Sequence, residues 1–192
     1  MDMAVSAISR HTIIAAASPR LPSHARVLVW GFPGSKGYYA QTNLKDFNSE
    51  QSYKGGFGTP HMNTVALNEA LVHHWSKKGL FISGYNPGLI RSGIRDGMHG
   101  GPRAFLGACL ESAIALFNPS ADEYATKILP LLSAPQLTST SSPNFNGLFF
   151  NQSAQPIKGE SAFDDPSIVA QWIKAADDIV KNADSKFSST KH

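Results

Sequence analysis

The sequence predicts an α/β domain in which about three parallel strands are flanked by helices. Short apolar runs rich in β-branched and aromatic residues occur at 26–30, 80–84 and 146–150, and such runs are typical of strands buried on both faces of a parallel sheet. Longer segments with helical character precede, separate and follow them. This alternation favours a parallel sheet whose connections are right-handed crossovers.

The first third of the chain predicts a helix followed by a strand. Residues 3–18 are rich in Ala, Ile and Val and form the predicted helix, which Pro19 and Pro22 end. The strand over 26–30 comes next. Residues 31–50 then form a polar loop with Gly, Pro, Asn and Asp.

The middle of the chain predicts a helix, a strand and a turn. The helix covers 61–77 and has apolar residues on two sides, which indicates burial on two sides. Gly79 ends this helix, and the strand over 80–84 follows it. Asn86-Pro-Gly88 is typical of a turn, and the glycine-rich stretch 93–102 has no regular pattern.

The last part of the chain predicts three helices and one strand. A helix over 103–117 is followed by a second, over 120–132, which opens with a Ser-x-x-Glu capping box at Ser120. The strand over 146–150 comes next. Asp165 is the expected N-cap of the final helix, with a proline at its first position.

Composition predicts one globular domain over 1–181 and a polar, flexible tail over 182–192. The 192 residues are 42% hydrophobic and carry a dispersed net charge of +3, without the basic, aromatic-lined stripe of nucleic-acid-binding proteins. The one cysteine, Cys109, fits a reducing compartment, so a cytoplasmic location is expected. The apolar run 13–17 is shorter than the ~7 residues of a signal-peptide core, and no run approaches the ~18 residues of a membrane span.

Four segments together resemble the short-chain dehydrogenase/reductases, and in particular their retinol-dehydrogenase-like branch. The matching segments are 43–53, the active-site helix at 62–71, Asn86-Pro-Gly-Leu-Ile-Arg-Ser92, and 146–150 with the following Gln155-Pro156 and the helix at 165–181. Their order and spacing carry the resemblance. It implies that the chain corresponds to the C-terminal half of that family's Rossmann-like fold, a truncated form of its parallel sheet.

The resemblance also shows departures from the family at the catalytic positions. It places Gly31 at the family's catalytic serine, Phe57 at its tyrosine and His61 at its lysine. No tyrosine of the chain is followed by a lysine four residues later. The family's glycine-rich pyrophosphate turn has no counterpart, because Gly34 and Gly37 precede no helical pattern. We therefore expect no cofactor, no metal and no ordinary NAD(P)-dependent redox chemistry.

The resemblance places the substrate cleft beyond the C-terminal ends of the strands. The expected catalytic candidates are His61 as an acid or base, Tyr39 as a donor to a carbonyl, and Ser35 near the missing serine. The expected substrate-binding candidates are Tyr38, Phe57, Asn86, Ser92, Arg95 and His99. Structural roles remain open for each: a histidine that bonds the backbone at a helix start, tyrosines that pack a loop, and ordinary turn or solvated loop residues.

Three functions remain open. The first is a cofactor-independent enzyme that catalyses a cyclisation, isomerisation, dehydration or pericyclic step on an apolar natural-product intermediate. The second is a non-catalytic pseudoenzyme that acts as a binding or regulatory partner, and the third is a fragment of an NAD(P)-dependent oxidoreductase. The unpaired edge at 26–30 and the two apolar faces of 61–77 predict a homodimer or higher oligomer, with these elements or residues 3–18 in the interface.

Overall fold

The computed structural model describes residues 3–31, 37–51, 59–88, 90, 118–138 and 144–189. These residues contain four α-helices and four β-strands. In chain order the elements are α1 (Ser9–Ala17), β1 (Arg26–Trp30), α2 (Thr59–Lys77), β2 (Phe81–Tyr85), α3 (Ala121–Leu132), β3 (Phe149–Phe150), β4 (Pro156–Ile157) and α4 (Pro166–Ser189). A π-helical turn, Ala4–Ile8, leads into α1, and a 3-10 turn, Ser18–Arg20, follows it.

The sheet has the strand order β1-β2-β3-β4. The first three strands are parallel, and β4 runs antiparallel to β3. The α/β class and the parallel arrangement are confirmed, and they are consistent with a Rossmann-like sheet. The strand β4, which is only two residues long, was not predicted.

The third predicted strand is shorter than 146–150 because its first residues form a turn. Gly147 has a φ of +78° and donates its N–H to the carbonyl of Ile82 at 2.8 Å. The side-chain Oδ1 of Asn146 accepts the N–H of Ile82 at 2.9 Å. An amide side chain and a turn thus continue the pairing with β2 before β3 begins.

The helices cover both faces of the sheet, and one of them is buried between two layers. On one face α1 and α2 pack against the sheet through a shared cluster, which comprises Ile14, Val29, Val72, Ile82 and Phe149. The helix α4 packs on the other side of α2, which confirms the predicted two-sided burial of α2. The helix α3 covers the opposite face of the sheet through Tyr124 and Ile128.

The helix ends confirm the predicted capping residues. Gly79 follows α2 with a φ of +85°, and the Ser120–Glu123 capping box opens α3. Asp165 accepts the N–H of Ser167 at 2.8 Å, and this hydrogen bond lowers the pKa of the Asp165 carboxyl. The helix α4 continues to Ser189 through most of the segment for which a flexible tail was predicted. The predicted helix over 103–117 lies outside the described residues.

A buried asparagine fixes the loop that precedes α2. The Nδ2 of Asn63 donates to the carbonyls of Asn43, Asp46 and Phe47, each at 3.2 Å. Its Oδ1 accepts the N–H of Asn43 at 2.8 Å. This one side chain satisfies several backbone groups that regular structure does not, and it attaches the 43–47 segment to α2. Within the described residues, no helix is both long and apolar enough to cross a bilayer.

Candidate functional site

Three neighbouring strands end in an aromatic residue at the same level of the sheet. Trp30, Tyr85 and Phe150 are the last residues of β1, β2 and β3, and the strand register pairs Trp30 with Tyr85 and Tyr85 with Phe150. Paired residues of parallel strands point to the same face. The three rings, here called the aromatic row, therefore stand side by side on the face that α3 covers.

The rings of the aromatic row contact one another in sequence. The Trp30 and Tyr85 rings stack with their centroids 5.3 Å apart, and the Tyr85 and Phe150 rings stack at 5.4 Å. Tyr124 of α3 meets the Trp30 ring edge-on at 5.6 Å, and Phe145 meets Phe150 in the same way at 5.5 Å. Trp30 is 39% exposed, so one end of this apolar surface reaches solvent.

Two phenol groups beside the aromatic row have no hydrogen-bond partner among the described residues. The hydroxyls of Tyr85 and Tyr124 are buried and unpaired among these residues. Tyr85 is 0% exposed and Tyr124 is 3% exposed. Burial raises the pKa of Tyr85 and raises the pKa of Tyr124 to about 12. Both phenols are therefore neutral near pH 7 and able to donate a hydrogen bond.

An unpaired buried hydroxyl costs about 1–3 kcal/mol. Tyr85 and Tyr124 therefore need an acceptor from outside the described residues. An oxygen on a bound molecule would meet that need. Apolar rings with a few polar groups beside them are the usual lining of a small-molecule site.

The turns after β2 and β3 approach each other closely beside this site. Asn86 donates its backbone N–H to the carbonyl of Phe150 at 2.8 Å, and its Oδ1 accepts the N–H of Gly88 at 3.0 Å. Gly88 has a φ of +62°, and a Cβ there would lie 2.5 Å from Oε1 of Gln152. The side-chain oxygen of Asn86 thus shapes the turn, while the residue lies directly beyond the aromatic row.

Tyr38 lies in a different part of the molecule, in the helical layer between α2 and α4. Its hydroxyl donates to Oε2 of Glu69 at 2.8 Å, and burial followed by the Glu69 charge raises its pKa. The other oxygen of Glu69 accepts the N–H of Glu160, and the Glu160 carboxylate accepts the N–H of Gly37 at 2.6 Å. Tyr38, Glu69 and Glu160 form the carboxylate network.

The carboxylate network requires a glycine beside it. Glu69 is fully buried, and a Cβ at Gly159 would lie 2.2 Å from its Oε1. The chain preceding α4 therefore passes directly over the Glu69 carboxylate. The network joins the loop at Gly37, the helix α2 and the segment before α4.

The remaining predicted site residues are distributed over several places. Tyr39 packs edge-on against Phe163 at 5.4 Å and against Trp172 at 6.4 Å, in the helical layer near Tyr38. His61 lies half-buried in the first turn of α2. Ser35, Phe57, Ser92, Arg95 and His99 lie outside the described residues. Of the predicted site residues that are described, Asn86 is the one the structure places directly after the aromatic row.

Sequence reasoning missed Tyr85 and Tyr124 as candidate site residues. The available signal was the residue type at the strand ends, because each of the first three strands is followed or ended by an aromatic side chain. The predicted strand over 80–84 stopped one residue before Tyr85. Tyr124 lies inside α3, and only the packing of α3 on the sheet brings it to the Trp30 ring.

Other polar clusters tie the helices together. Nε2 of His11 in α1 lies 2.8 Å from Oδ1 of Asp177 in α4. His73 stacks on Phe163 with centroids 6.2 Å apart, while the neighbouring His74 meets Trp75 edge-on, so the two adjacent histidines point in different directions. In the described part of the chain, no group of three or more His, Cys, Asp or Glu side chains is arranged to hold a metal ion.

Comparison with known proteins gives one informative likeness. No protein family model matches the chain. The chain is 34% identical over 154 residues to a Saccharomyces cerevisiae protein described as an uncharacterized oxidoreductase. The match covers 76% of this chain and 48% of that protein, so the chain spans about half the length of the relative it matches. Over about three quarters of its length, then, this chain is similar to a protein named as an oxidoreductase.

Proposed function

We propose that this chain binds an apolar, ring-containing molecule at the aromatic row and promotes a non-redox step on it without a nucleotide cofactor. The observation that carries this proposal is the row of Trp30, Tyr85 and Phe150 together with two buried phenols that have no partner among the described residues. The Trp30 ring, 39% exposed, supplies the apolar surface that a flat molecule can reach, with Tyr85 and Phe150 buried behind it. The phenols supply hydrogen bonds that orient it.

The same two phenols suit a reaction at a carbonyl or enol oxygen. A neutral phenol that donates to such an oxygen stabilises the negative charge that develops there during enolisation, cyclisation or loss of water. The raised pKa values of Tyr85 and Tyr124 keep the protons in place at neutral pH. None of these reactions requires a hydride, and none requires the Tyr-x-x-x-Lys motif that the sequence lacks.

A matched pair of probes tests this site. We expect the chain to bind 2-acetylnaphthalene, which has a ring system and a carbonyl, more tightly than 2-ethylnaphthalene, which lacks the carbonyl. The double variant Tyr85→Phe/Tyr124→Phe removes both hydroxyls but keeps the rings. It should weaken binding of the acetyl compound by about tenfold, the value of one net hydrogen bond, and leave binding of the ethyl compound unchanged. Calorimetric titration gives both affinities.

Tyr39→Phe is the control variant, because Tyr39 packs in the helical layer against Phe163 and Trp172. It should bind both probes as the unchanged chain does. Equal loss of affinity for both probes in the double variant would contradict the role of the phenols. Failure of either probe to bind would contradict the site itself.

A second candidate function is the substrate-binding part of a redox enzyme, and the likeness to a protein named as an oxidoreductase favours it. Incubating the chain with 2-acetylnaphthalene and NADPH separates the two. Consumption of NADPH with formation of the alcohol would support the redox candidate and overturn the cofactor-independent one. Probe binding that NADPH leaves unchanged, without reduction, is the outcome that we expect.

A further inference from the structure

The Trp30 ring is the part of the aromatic row that solvent reaches, and its position depends on the backbone that carries it. Trp30 is 39% exposed, whereas Tyr85 and Phe150 are each 0% exposed. The Trp30 ring rests on the rings of Tyr85 and Tyr124. A tryptophan side chain has only two side-chain torsions, so a shift of the peptide at the end of β1 moves the ring with it.

The peptide unit that follows Trp30 is held from both sides. The N–H of Gly31 donates to the carbonyl of Tyr85 in β2 at 3.0 Å. The carbonyl of Trp30 points the opposite way, because the N–H and C=O of a planar trans peptide unit point in opposite directions. It accepts a hydrogen bond from Nη1 of Arg10 in α1. One peptide unit is thus bonded both to the neighbouring strand and to a helix.

A buried amide holds the Arg10 guanidinium in turn. The same Nη1 donates to Oδ1 of Asn68 in α2 at 3.0 Å, and Asn68 is 2% exposed. The Nδ2 of Asn68 donates to the carbonyl of Thr64 at 3.0 Å and to that of Ser6 at 3.1 Å. Because these two carbonyls fix the amino side of the amide, its oxygen faces Arg10. The hydrogen bonds therefore run from α2 through Arg10 to the end of β1.

Arg10 acts on the site from the opposite face of the sheet. The helices α1 and α2 pack on one face, and the aromatic row stands on the other face, which α3 covers. An effect of Arg10 on a ligand at the aromatic row must therefore pass through the backbone of β1.

We propose that Arg10 is a positioning residue for the ligand site: by bonding the Trp30 carbonyl, it fixes the exposed ring on which an apolar, ring-containing molecule packs. This inference rests on the proposed function for the identity of the ligand, and it adds to the site a residue that does not touch the ligand. A ring that is already fixed costs less to order when the ligand binds. Without the guanidinium, the ligand must order the end of β1 as well.

The indole N–H signals in a proton–nitrogen NMR correlation spectrum test the positioning directly. The chain has three tryptophans, and Trp30→Phe identifies the Trp30 signal by its loss. Arg10→Met keeps most of the apolar stem and removes the guanidinium. We expect it to shift or broaden the Trp30 signal and to leave those of Trp75 and Trp172 in place. A general loss of stability would not single out one of the three indoles.

Arg20→Met is the matched control. Arg20 is exposed in the turn after α1, and its guanidinium lies 3.5 Å from the carbonyl of Ala16 in the same segment. This variant should leave all three indole signals in place. Arg10→Lys is the conservative variant, because an ammonium also carries several donors on one nitrogen. Its side chain is shorter, so we expect it to restore the Trp30 signal in part.

Binding of the naphthalene probes tests the consequence for the site. Arg10→Met should weaken binding of 2-acetylnaphthalene and of 2-ethylnaphthalene by the same factor, about three- to tenfold, because both pack on Trp30 through their rings. The double variant Tyr85→Phe/Tyr124→Phe, by contrast, should weaken binding of the acetyl compound alone. Arg20→Met should bind both probes as the unchanged chain does, and the affinities of Arg10→Lys should lie between those of Arg10→Met and the unchanged chain.

A Trp30 signal that stays in place in Arg10→Met would overturn the inference. Probe affinities that Arg10→Met leaves unchanged, or that Arg20→Met lowers equally, would also overturn it. If the unchanged chain binds neither probe, the proposed function fails by itself, and the indole signals still decide whether Arg10 fixes the ring.

Discussion

The buried tyrosine of the helical layer and those beside the aromatic row differ in whether the hydroxyl has a hydrogen-bond partner. Tyr38 donates its hydroxyl to a buried carboxylate at 2.8 Å. Tyr85 and Tyr124 are buried to the same degree but have no partner among the described residues. A phenol paired inside the fold stabilises the fold. A phenol left without a partner can bond a ligand, and the contrast holds for the phenols alone, because Nε1 of Trp172 in the helical layer also lacks a partner among the described residues.

The largest effect should come from breaking the carboxylate network. Glu69→Ala leaves the buried Tyr38 hydroxyl and the partly buried Glu160 N–H without their acceptor, and it also leaves a cavity. We expect the free energy of unfolding to fall by about 3 kcal/mol or more, measured by urea denaturation. Glu50→Ala removes an exposed carboxylate from the loop and should change stability by less than about 0.5 kcal/mol. Similar losses in both variants would show that the network contributes little.

A pH titration should give the next largest effect, and it should arise in the helical region. Burial, and secondarily Lys77, lowers the pKa of His73 below 6.5. Below that pH the unfolded chain binds a proton that the folded chain excludes, so stability falls as the pH falls. The slope from this one group is at most about 1.4 kcal/mol per pH unit.

The measurement is the free energy of unfolding between pH 7 and pH 5. His73→Leu should show a shallower decline than the unchanged chain, although His74, whose pKa is also lowered, still contributes. Tyr85→Phe serves as the comparison, because a phenol with a raised pKa does not titrate in this range, and it should keep the original slope. An unchanged slope in His73→Leu would mean that the acid sensitivity has another origin.

The smallest effect should come from removing a phenol beside the aromatic row. Tyr85→Phe deletes a buried hydroxyl that has no partner among the described residues, so in the absence of a ligand the chain should be as stable as before or up to about 1 kcal/mol more stable. Tyr38→Phe, which deletes a paired hydroxyl, should be destabilised by about 1 kcal/mol. Loss of stability in both variants would remove the contrast between the two regions.

Much of the fold could be predicted because short, local sequence patterns indicate its helices and strands. The apolar run 26–30 became β1 with the same bounds, and Gly79, Ser120 and Asp165 mark helix ends as expected. The strand β4 was missed because Pro156–Ile157 is too short for any alternation to appear. The start of β3 was misplaced because Asn146 pairs with β2 through its side chain, which an apolar pattern does not report.

The site was harder to predict than the fold. Tyr38 and Tyr39 were expected at the cleft because they follow a strand, but both rings pack in the helical layer, Tyr38 against Glu69 and Tyr39 against Phe163. Whether a hydroxyl has a partner depends on residues distant in the chain, as with Tyr38 and Glu69. The branch of the family and the replaced catalytic positions remain predictions, as do the cytoplasmic location and the catalytic role of His61.

The close approach of Gly159 to Glu69 makes substitutions at these two positions depend on each other, although the positions are distant in the chain. While a glutamate occupies position 69, no side chain fits at 159, because its first atom would overlap the carboxylate. A shorter residue at 69 would remove the nearest obstacle, and the Phe149 ring, whose Cε2 lies 2.9 Å from the same Cβ position, would also have to shift. Substitutions at these two positions are therefore not independent: a side chain at 159 becomes acceptable only after position 69 has changed, which imposes an order on the routes that related sequences can take.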